Sequence, residues 1–387
     1  MIDEHKFILL CTGVEPDDSA CNEIIKLSEN PELDWDLVFD FALQQRVWLL
    51  VYQNINSLIS HNVPERITKK FKESYIVNVA RNIRLTNSLL NIVDLFSAKD
   101  IEILPFKGPV LAKTVYNSIY LRFFVDLDVL IRKENIIAAW RILQNAGFQA
   151  VLNLSDTQKI KYSETEDHMA FSKGSICIEL HWEITGIYLS KPLQFEHLAN
   201  NLNKFYIDDK EVLNLSSEVL LLYLCIHGSK DVWKNLEQIC SISELIRKNK
   251  ILNWNLINQL SKEWECRYML LLGLSLSQNI FNVPLPTFIL DNINNNKKIL
   301  TLTEQIKTQM FNISISRKQK KMPNRFNPHH IRIRDSLKAK LIYILRLVFS
   351  PTEKEWRYFP ITARLSFTHY LLRPLRLLIA IFWKRYA

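Results

Sequence analysis

Between Phe106 and Ile131 the chain reads FKGPVLAKTVYNSIYLRFFVDLDVLI, and within this one stretch the spacing of its apolar residues switches from helical to alternating. A Lys-Gly corner opens an apolar helical run through Tyr116, and VDLDVLI then alternates acidic and apolar residues. A strand with that alternation projects Asp126 and Asp128 to one face and Leu127 and Val129 to the other. Upstream, IEILPF is β in character, so the unit is predicted as strand, helix, strand. Two carboxylates side by side on such a strand point to a Mg²⁺ site that meets phosphate, with Mn²⁺ as the alternative ion.

What surrounds this unit is mostly helix. The 387 residues include only 7 glycines, and Leu and Ile recur at three-to-four spacing over long stretches. Residues 1–98 are expected to form an N-terminal helical region, with Pro64 at the start of a long amphipathic run from Ile67 to Ala98. Residues 99–212 hold the α/β part. There ENIIAAWRILQNAG is a helix stopped at Gly147, and HMAFSKGSICIELHW is a hairpin with Lys173-Gly174 between two alternating runs. Residues 213–290 return to Leu-rich helix and are expected to close the cleft. Residues 291–330, with NNNKK and RKQKKMPNRF, have the composition of a basic and polar linker, and 331–387 form a basic helical tail.

The net charge of +9 is concentrated at the C-terminal end: residues 317–387 carry 17 Lys and Arg against 3 Asp and Glu. That excess attracts nucleic acid, acidic lipid or an acidic partner alike. The run LLRPLRLLIAIFWKRYA mixes cations with apolar and aromatic residues, so 370–387 either lie on an anionic membrane surface or dock onto the protein's own core. With no signal-peptide pattern and no uncharged apolar run long enough to span a bilayer, the expected address is cytoplasmic, with peripheral membrane contact through the tail. The six cysteines show no CxxC pair or zinc-type spacing and read as reduced core residues.

Metal-assisted transfer of a nucleoside monophosphate requires carboxylates to hold the ion, a backbone corner that approaches phosphate, and cations that offset its charge. Gly108 supplies a corner without a Cβ ahead of a helix N-terminus, and Lys107 and Arg122 are candidate phosphate contacts. Glu179 is the preferred third carboxylate because it alternates correctly within ICIELHW, with Asp167 and Glu183 as alternatives. His181 shares the face of Glu179, either assisting an acceptor or packed beside Trp182. His227, Lys230 and Trp233 lie at helical spacing and line either an acceptor cleft or a domain interface. Arg122 is read as touching nucleotide, as pairing with an aspartate, or both.

The order strand, Lys107-Gly108, helix, Arg122, Asp126-x-Asp128, then IELHW resembles the uncharacterised nucleotidyltransferase family of the polymerase-β-like superfamily. DWDLVFDFALQQRVWLLVY resembles that family's helical leader, YLCIHGSKDVWKNLEQICSISELI its His-bearing helix, and SPTEKEW through YLLRPLRLL its closing segment. The resemblance implies a mainly helical α+β protein with a small mixed-sheet nucleotidyltransferase core. It implies paired metal ligands at Asp126 and Asp128, a third carboxylate at Glu179, and a nucleotide-binding corner at Lys107-Gly108. The implied reaction takes an NTP and an unidentified acceptor and releases pyrophosphate. Two departures stand out: Pro109 follows the glycine, and Ser241 stands where the family's helix has an aspartate. Two rival readings are a DxD-type glycosyltransferase, which requires a βαβ unit near the N-terminus, and a catalytically idle nucleotide-binding scaffold.

Overall fold

A computed structural model describes residues 2–189, 191–312, 327–359 and 361–386, with side chains to residue 380. The fold is α+β and mainly helical. Five helices come first: α1 (Asp3–Leu10), α2 (Asp18–Ser28), α3 (Trp35–Gln44), α4 (Trp48–Leu58) and α5 (Glu65–Ser97). Local chemistry sets their starts, since Asp17 accepts the amide of Ala20, Asp34 those of Asp36 and Leu37, and Pro64 immediately precedes α5.

The α/β part follows as β1 (Ile103–Pro105), α6 (Gly108–Tyr116), β2 (Leu127–Ile131), α7 (Ile136–Asn145), β3 (Gln149–Ala150), α8 (Asp156–Tyr162), β4 (His168–Lys173) and β5 (Ile176–His181). The sheet order is β1-β2-β5-β4-β3. Within this sheet β2 and β5 run parallel and the other pairs antiparallel, and the β2–β5 register sets Asp128 opposite Glu179. In the β4–β5 hairpin the turn is made by Gly174 and Ser175, with Gly174 at φ +58°, and His168 faces His181.

All five residues of β2 are buried, as befits a central strand covered on both faces. Leu127, Val129 and Ile131 join Trp140 of α7 and the C-terminal half of α5 in one apolar cluster. Leu130 joins α6 and the helices on the opposite face in another. The strand begins at Leu127, whereas the alternation VDLDVLI predicted it from Val125. Backbone partners explain the difference. Parallel pairing with β5 starts at Leu127, and the segment before it is held elsewhere, with Asn82 of α5 donating to the carbonyls of Ile119 (2.6 Å) and Arg122 (2.9 Å).

After the hairpin of β6 (Leu202–Ile207) and β7 (Lys210–Leu215) come α10 (Ser217–Lys230), α11 (Leu236–Lys248), α12 (Trp254–Glu263), α13 (Arg267–Phe281), α14 (Thr287–Asn294) and α15 (Lys297–Phe311), where α9 (Phe195–Leu198) is the short helix before the hairpin. Residues 1–98 do not possess a core of their own. Phe7, Val38 and Leu50 are buried in the same cluster as Leu221, Ile242 and Leu272. The expected linker over 291–330 is also partly helix: α15 buries Ile299, Leu302, Ile306 and Met310, an i, i+3, i+7, i+11 stripe within an otherwise polar sequence. Residues 313–326 of that segment lie outside the described residues.

Further helices span Pro328–Arg332, Leu337–Phe349, Glu353–Tyr358 and His369–Tyr386. They are tied down by Arg334, which donates to the Tyr188 carbonyl, by Arg346, which donates to that of Leu189 (2.8 Å), and by the buried Trp356. Among the described residues no helix is long and apolar enough to cross a membrane.

The junction of α10 and α11 is built around Trp233. This residue and Val232 have positive φ, +51° and +58°, and the indole fills a slot left by two glycines. A Cβ at Gly228 would lie 2.4 Å from the Trp233 ring, and one at Gly273 would lie 3.0 Å from it. Gly228→Ala is therefore expected to destabilise the protein by about 1–3 kcal/mol through overpacking, read as a lower urea midpoint at unchanged m-value.

Candidate active site

Asp128 is the centre of the site, and burial is its defining property. Its Oδ1 accepts from Lys107 Nζ at 2.7 Å and lies 3.2 Å from His181 Nε2, while Oδ2 is buried without a partner. Burial alone pushes a carboxyl up, but the Lys107 ammonium and His181 outweigh it and hold Asp128 below the usual carboxylate range. The same pairing holds Lys107 well above the ordinary lysine range despite its own desolvation.

Glu179 comes to Asp128 through the β2–β5 register, and His181 Nε2 sits 3.3 Å from its Oε2. One ligand atom from each of Asp128, Glu179 and His181 can be enclosed within 4.8 Å, a spacing that suits a divalent cation. Glu179 keeps a side chain 30% exposed, so the cluster opens to solvent on that side. Burial and the Asp128 carboxylate push its carboxyl up, but His181 and His168 outweigh them and hold it below the usual range.

Asp126 lies one residue before β2, outside that tight group, but within its field. Burial first, and then the Asp128 carboxylate, raise its carboxyl to about 6. Gly108 explains how the chain passes so closely here: at φ +56° it opens α6, and a Cβ on it would stand 3.4 Å from the Asp126 carbonyl oxygen. Lys107 is the N-cap residue of α6, so its side chain and the first amides of that helix flank the same corner. Pro109 removes one of those amides.

Arg122 is directed elsewhere. Its Nε donates to Glu237 Oε1 of α11 at 2.7 Å in a nearly buried ion pair. Ser241 donates to the same oxygen at 2.8 Å, and the Tyr116 hydroxyl lies 2.9 Å from Ser241 Oγ. Ser241, where the resemblance called for an aspartate, thus links α6 to α11 and completes a network that anchors the loop leading to Asp126. The partner of Arg122 is a glutamate on a distant helix and neither of the site's aspartates.

The other expected residues divide. Asp167 does not join Glu179 on the ion-spaced group around Asp128. Its Oδ1 bonds His168 Nδ1 at 2.9 Å, and that carboxylate overcomes burial to raise His168 to about 9. His168 stacks on His181 with ring centres 4.8 Å apart, and its Nε2 is 3.9 Å from Glu179 Oε1. Asp167, His168 and His181 form a second ion-spaced group, sharing His181 with the first. Glu183 belongs to neither group; it stands beside Gln194 and Lys133 on a cavity that Asp167 also lines, and burial raises its carboxyl.

His227 is half-buried on α10, where burial and then the Lys107 charge lower it to about 4, leaving a neutral imidazole at pH 7. Lys230 lies over the Tyr188 ring at 5.3 Å and borders a cavity that Asp167, His168 and Arg346 also line. Trp233 does not line a cleft. It is buried in the slot of Gly228 and Gly273, past the end of α10, so the helical spacing of His227 and Lys230 does not extend to it.

Sequence reasoning did not single out His168, Tyr223 or Glu237. His168 had a legible signal, since it stands across the hairpin from His181. Tyr223, whose ring meets Phe106 edge-on at 5.3 Å, and Glu237 had none, for both arrive from helices about a hundred residues downstream.

No curated protein matches this chain in sequence. Among solved structures, the crystal structure of ANT(2")-Ia in complex with adenylyl-2"-tobramycin aligns with 48% of this chain and 99% of that chain, at 12% identity and a TM-score of 0.35. A likeness of that size carries no argument here. The family comparison is of another order, because the model described as uncharacterised nucleotidyltransferase matches residues 31–282, from the loop before α3 through the end of α13 and across the whole site. With the sheet, the acidic centre and the helices around it all inside that match, the chain belongs to this family of uncharacterised nucleotidyltransferases.

Proposed function

We propose that the protein transfers a nucleoside monophosphate from an NTP to an acceptor nucleophile, with release of pyrophosphate, using Mg²⁺ or Mn²⁺. The observation that carries this reading is the Oδ2 of Asp128: a buried carboxylate oxygen with no partner, beside Glu179 and His181 at ion-binding spacing. A charged oxygen left so is costly unless a cation completes it. Asp126, whose ionisation is opposed by Asp128, would ionise readily beside the same cation, and the donor set is the hard-oxygen type such ions favour.

Asp128 and Glu179, with Asp126 from the preceding bend, would hold the ion, which when bound supplies charge stabilisation at the triphosphate. His181 orients the two carboxylates through its shared Nε2. Lys107 neutralises Asp128 in the free protein and presents a cation where phosphate oxygens approach the corner at Gly108. Arg122 serves by holding the loop before Asp126 through Glu237. His227 and Lys230 are assigned to the acceptor side. The acceptor hydroxyl or similar group attacks the α-phosphorus, and the bond to the pyrophosphate leaving group breaks as the new P–O bond forms.

The glycosyltransferase reading required a sheet close to the N-terminus. The first strand instead starts at Ile103 after five helices, so that reading is set aside. An idle scaffold is disfavoured by two carboxylates and a histidine brought together at ion-binding spacing.

Asp128→Asn and Glu179→Gln are each expected to lower NTP turnover by about 10²–10³-fold while leaving the circular dichroism spectrum unchanged. Incubation with α-³²P-labelled NTPs and a cell extract reads this directly; full turnover in both variants would defeat the mechanism.

Asp126 yields a second expectation with a definite sign. Its carboxyl is raised to about 6 in the folded protein, so the folded state binds more protons than the unfolded one from the ordinary aspartate range up to about pH 6. Stability contributed by this group therefore falls as pH rises through that window. Without divalent ion, Asp126→Asn should melt at higher temperature than the wild type at pH 8, with the gap closing at pH 4. Added Mg²⁺ should raise the wild-type melting temperature more than that of the variant, and equal Mg²⁺ responses would remove Asp126 from the ion site.

A further inference from the structure

The C-terminal helices are turned the wrong way round for a protein surrounded only by water. Helix His369–Tyr386 directs His369 and Arg373 inward, where both are nearly inaccessible, and exposes Leu371, Leu375, Leu378 and Ile379, each more than half accessible. Those four stand at i, i+4, i+7 and i+8, the spacing of a single helix face. Helix Leu337–Phe349, which packs against it, does the same: Ala339, Tyr343 and Leu347 face inward, while Leu337, Leu341, Ile344 and Leu345 are exposed at the same spacing. Two neighbouring helices with continuous outward apolar stripes are far from the scattered single exposures of an ordinary surface.

Charge selects the occupant. Residues 317–387 carry 17 basic residues and only 3 acidic ones, and all three acids are already engaged. Glu355 is buried against Arg373 and Arg376, Glu353 pairs with Arg357, and Asp335 accepts the amides of Arg267 and Tyr268, both at 2.8 Å. Lys338 on the first of these helices, and Lys354 and Arg364 on the segments that join the two, are exposed. A second copy of this surface would bring like charges together, and a cationic partner would be repelled. An exposed apolar face on two helices, within a strongly basic part of the chain, matches an anionic bilayer, whose phosphates meet the cations while the apolar face enters the acyl boundary. The helix is not apolar enough to cross, so the contact is interfacial.

We propose that helices Leu337–Phe349 and His369–Tyr386 form a peripheral docking surface for an anionic lipid membrane. The proposal does not depend on the reaction assigned above, and its test reads binding alone. The full chain is sedimented with vesicles of phosphatidylcholine, and with vesicles in which part of it is replaced by phosphatidylglycerol. Wild-type protein is expected to bind the mixed vesicles about tenfold or more better than the neutral ones. The exposed pair Leu371→Glu and Leu375→Glu, in one chain, should reduce that binding about tenfold or more at an unchanged melting temperature, and Leu341→Glu should reduce it independently. Undiminished binding by both variants would mean adsorption through charge alone and overturn the proposal, as would absence of binding to the mixed vesicles. A lipid-free dimer abolished by the same substitutions, with vesicle binding unaffected, would reassign the surface to self-association.

Discussion

A carboxylate in the middle of a central strand cannot be left to itself, and the burial of Asp128 is the constraint around which the α/β core is arranged. Both faces of β2 are covered, so the strand gains apolar burial at Leu127, Val129, Leu130 and Ile131 only by taking one charge inside. Lys107 meets that charge at 2.7 Å and His181 approaches at 3.2 Å. Removing either partner from a buried pair costs more than the pair contributes, which locks the Lys-Gly corner, β2 and β5 into one relative placement. Compensation stops short of completion, because Oδ2 lacks a partner. The incompleteness is where a ligand's contribution enters.

The helices serve this arrangement by fixing what the sheet cannot. Helix α5 is 33 residues long, about 50 Å, and reaches from the core that the first and later helices share to the face of the sheet that Trp140 covers. Asn82, midway along it, holds the loop that leads to Asp126. On the other side Glu237 and Ser241 of α11 hold the same loop through Arg122 and Tyr116. The carboxylate outside the strand is thereby positioned by two helices that have no part in the sheet. Shared packing of the first and later helices in one core makes that positioning rigid, since close-packed interiors transmit displacement rather than absorb it.

Much of the fold was legible. The two-residue period around Asp128 and in ICIELH, the Gly174 turn and the stop at Gly147 are local signals, and local steric rules suffice to read them. Helix α15 was missed because its apolar stripe is narrow and set among Asn, Lys, Thr and Gln, so composition outweighed period. Trp233 was open between a cleft and an interface; it lies past the end of α10 with its backbone in the left-handed region, and the two glycines that receive its ring lie at separate points of the chain. Of the site, Lys107, Gly108, Asp128, Glu179 and His181 were named and are together, while Arg122 turned to a glutamate that no local pattern announces.

The chain's own pattern determined which segments are helix or strand, that acidic residues occupy a strand, and that a glycine corner precedes them, because each follows from the conformational limits of a few neighbouring residues. Tertiary structure alone decided the start of β2, the separation of Asp126 from the tight group, and the opposite directions in which the Asp126 and Asp128 carboxyls are shifted. It also decided that the C-terminal helices turn their leucines outward. Those properties depend on which remote groups exclude water or bring charge to within a few ångströms, and desolvation and Coulomb energy are functions of position in space rather than position in sequence.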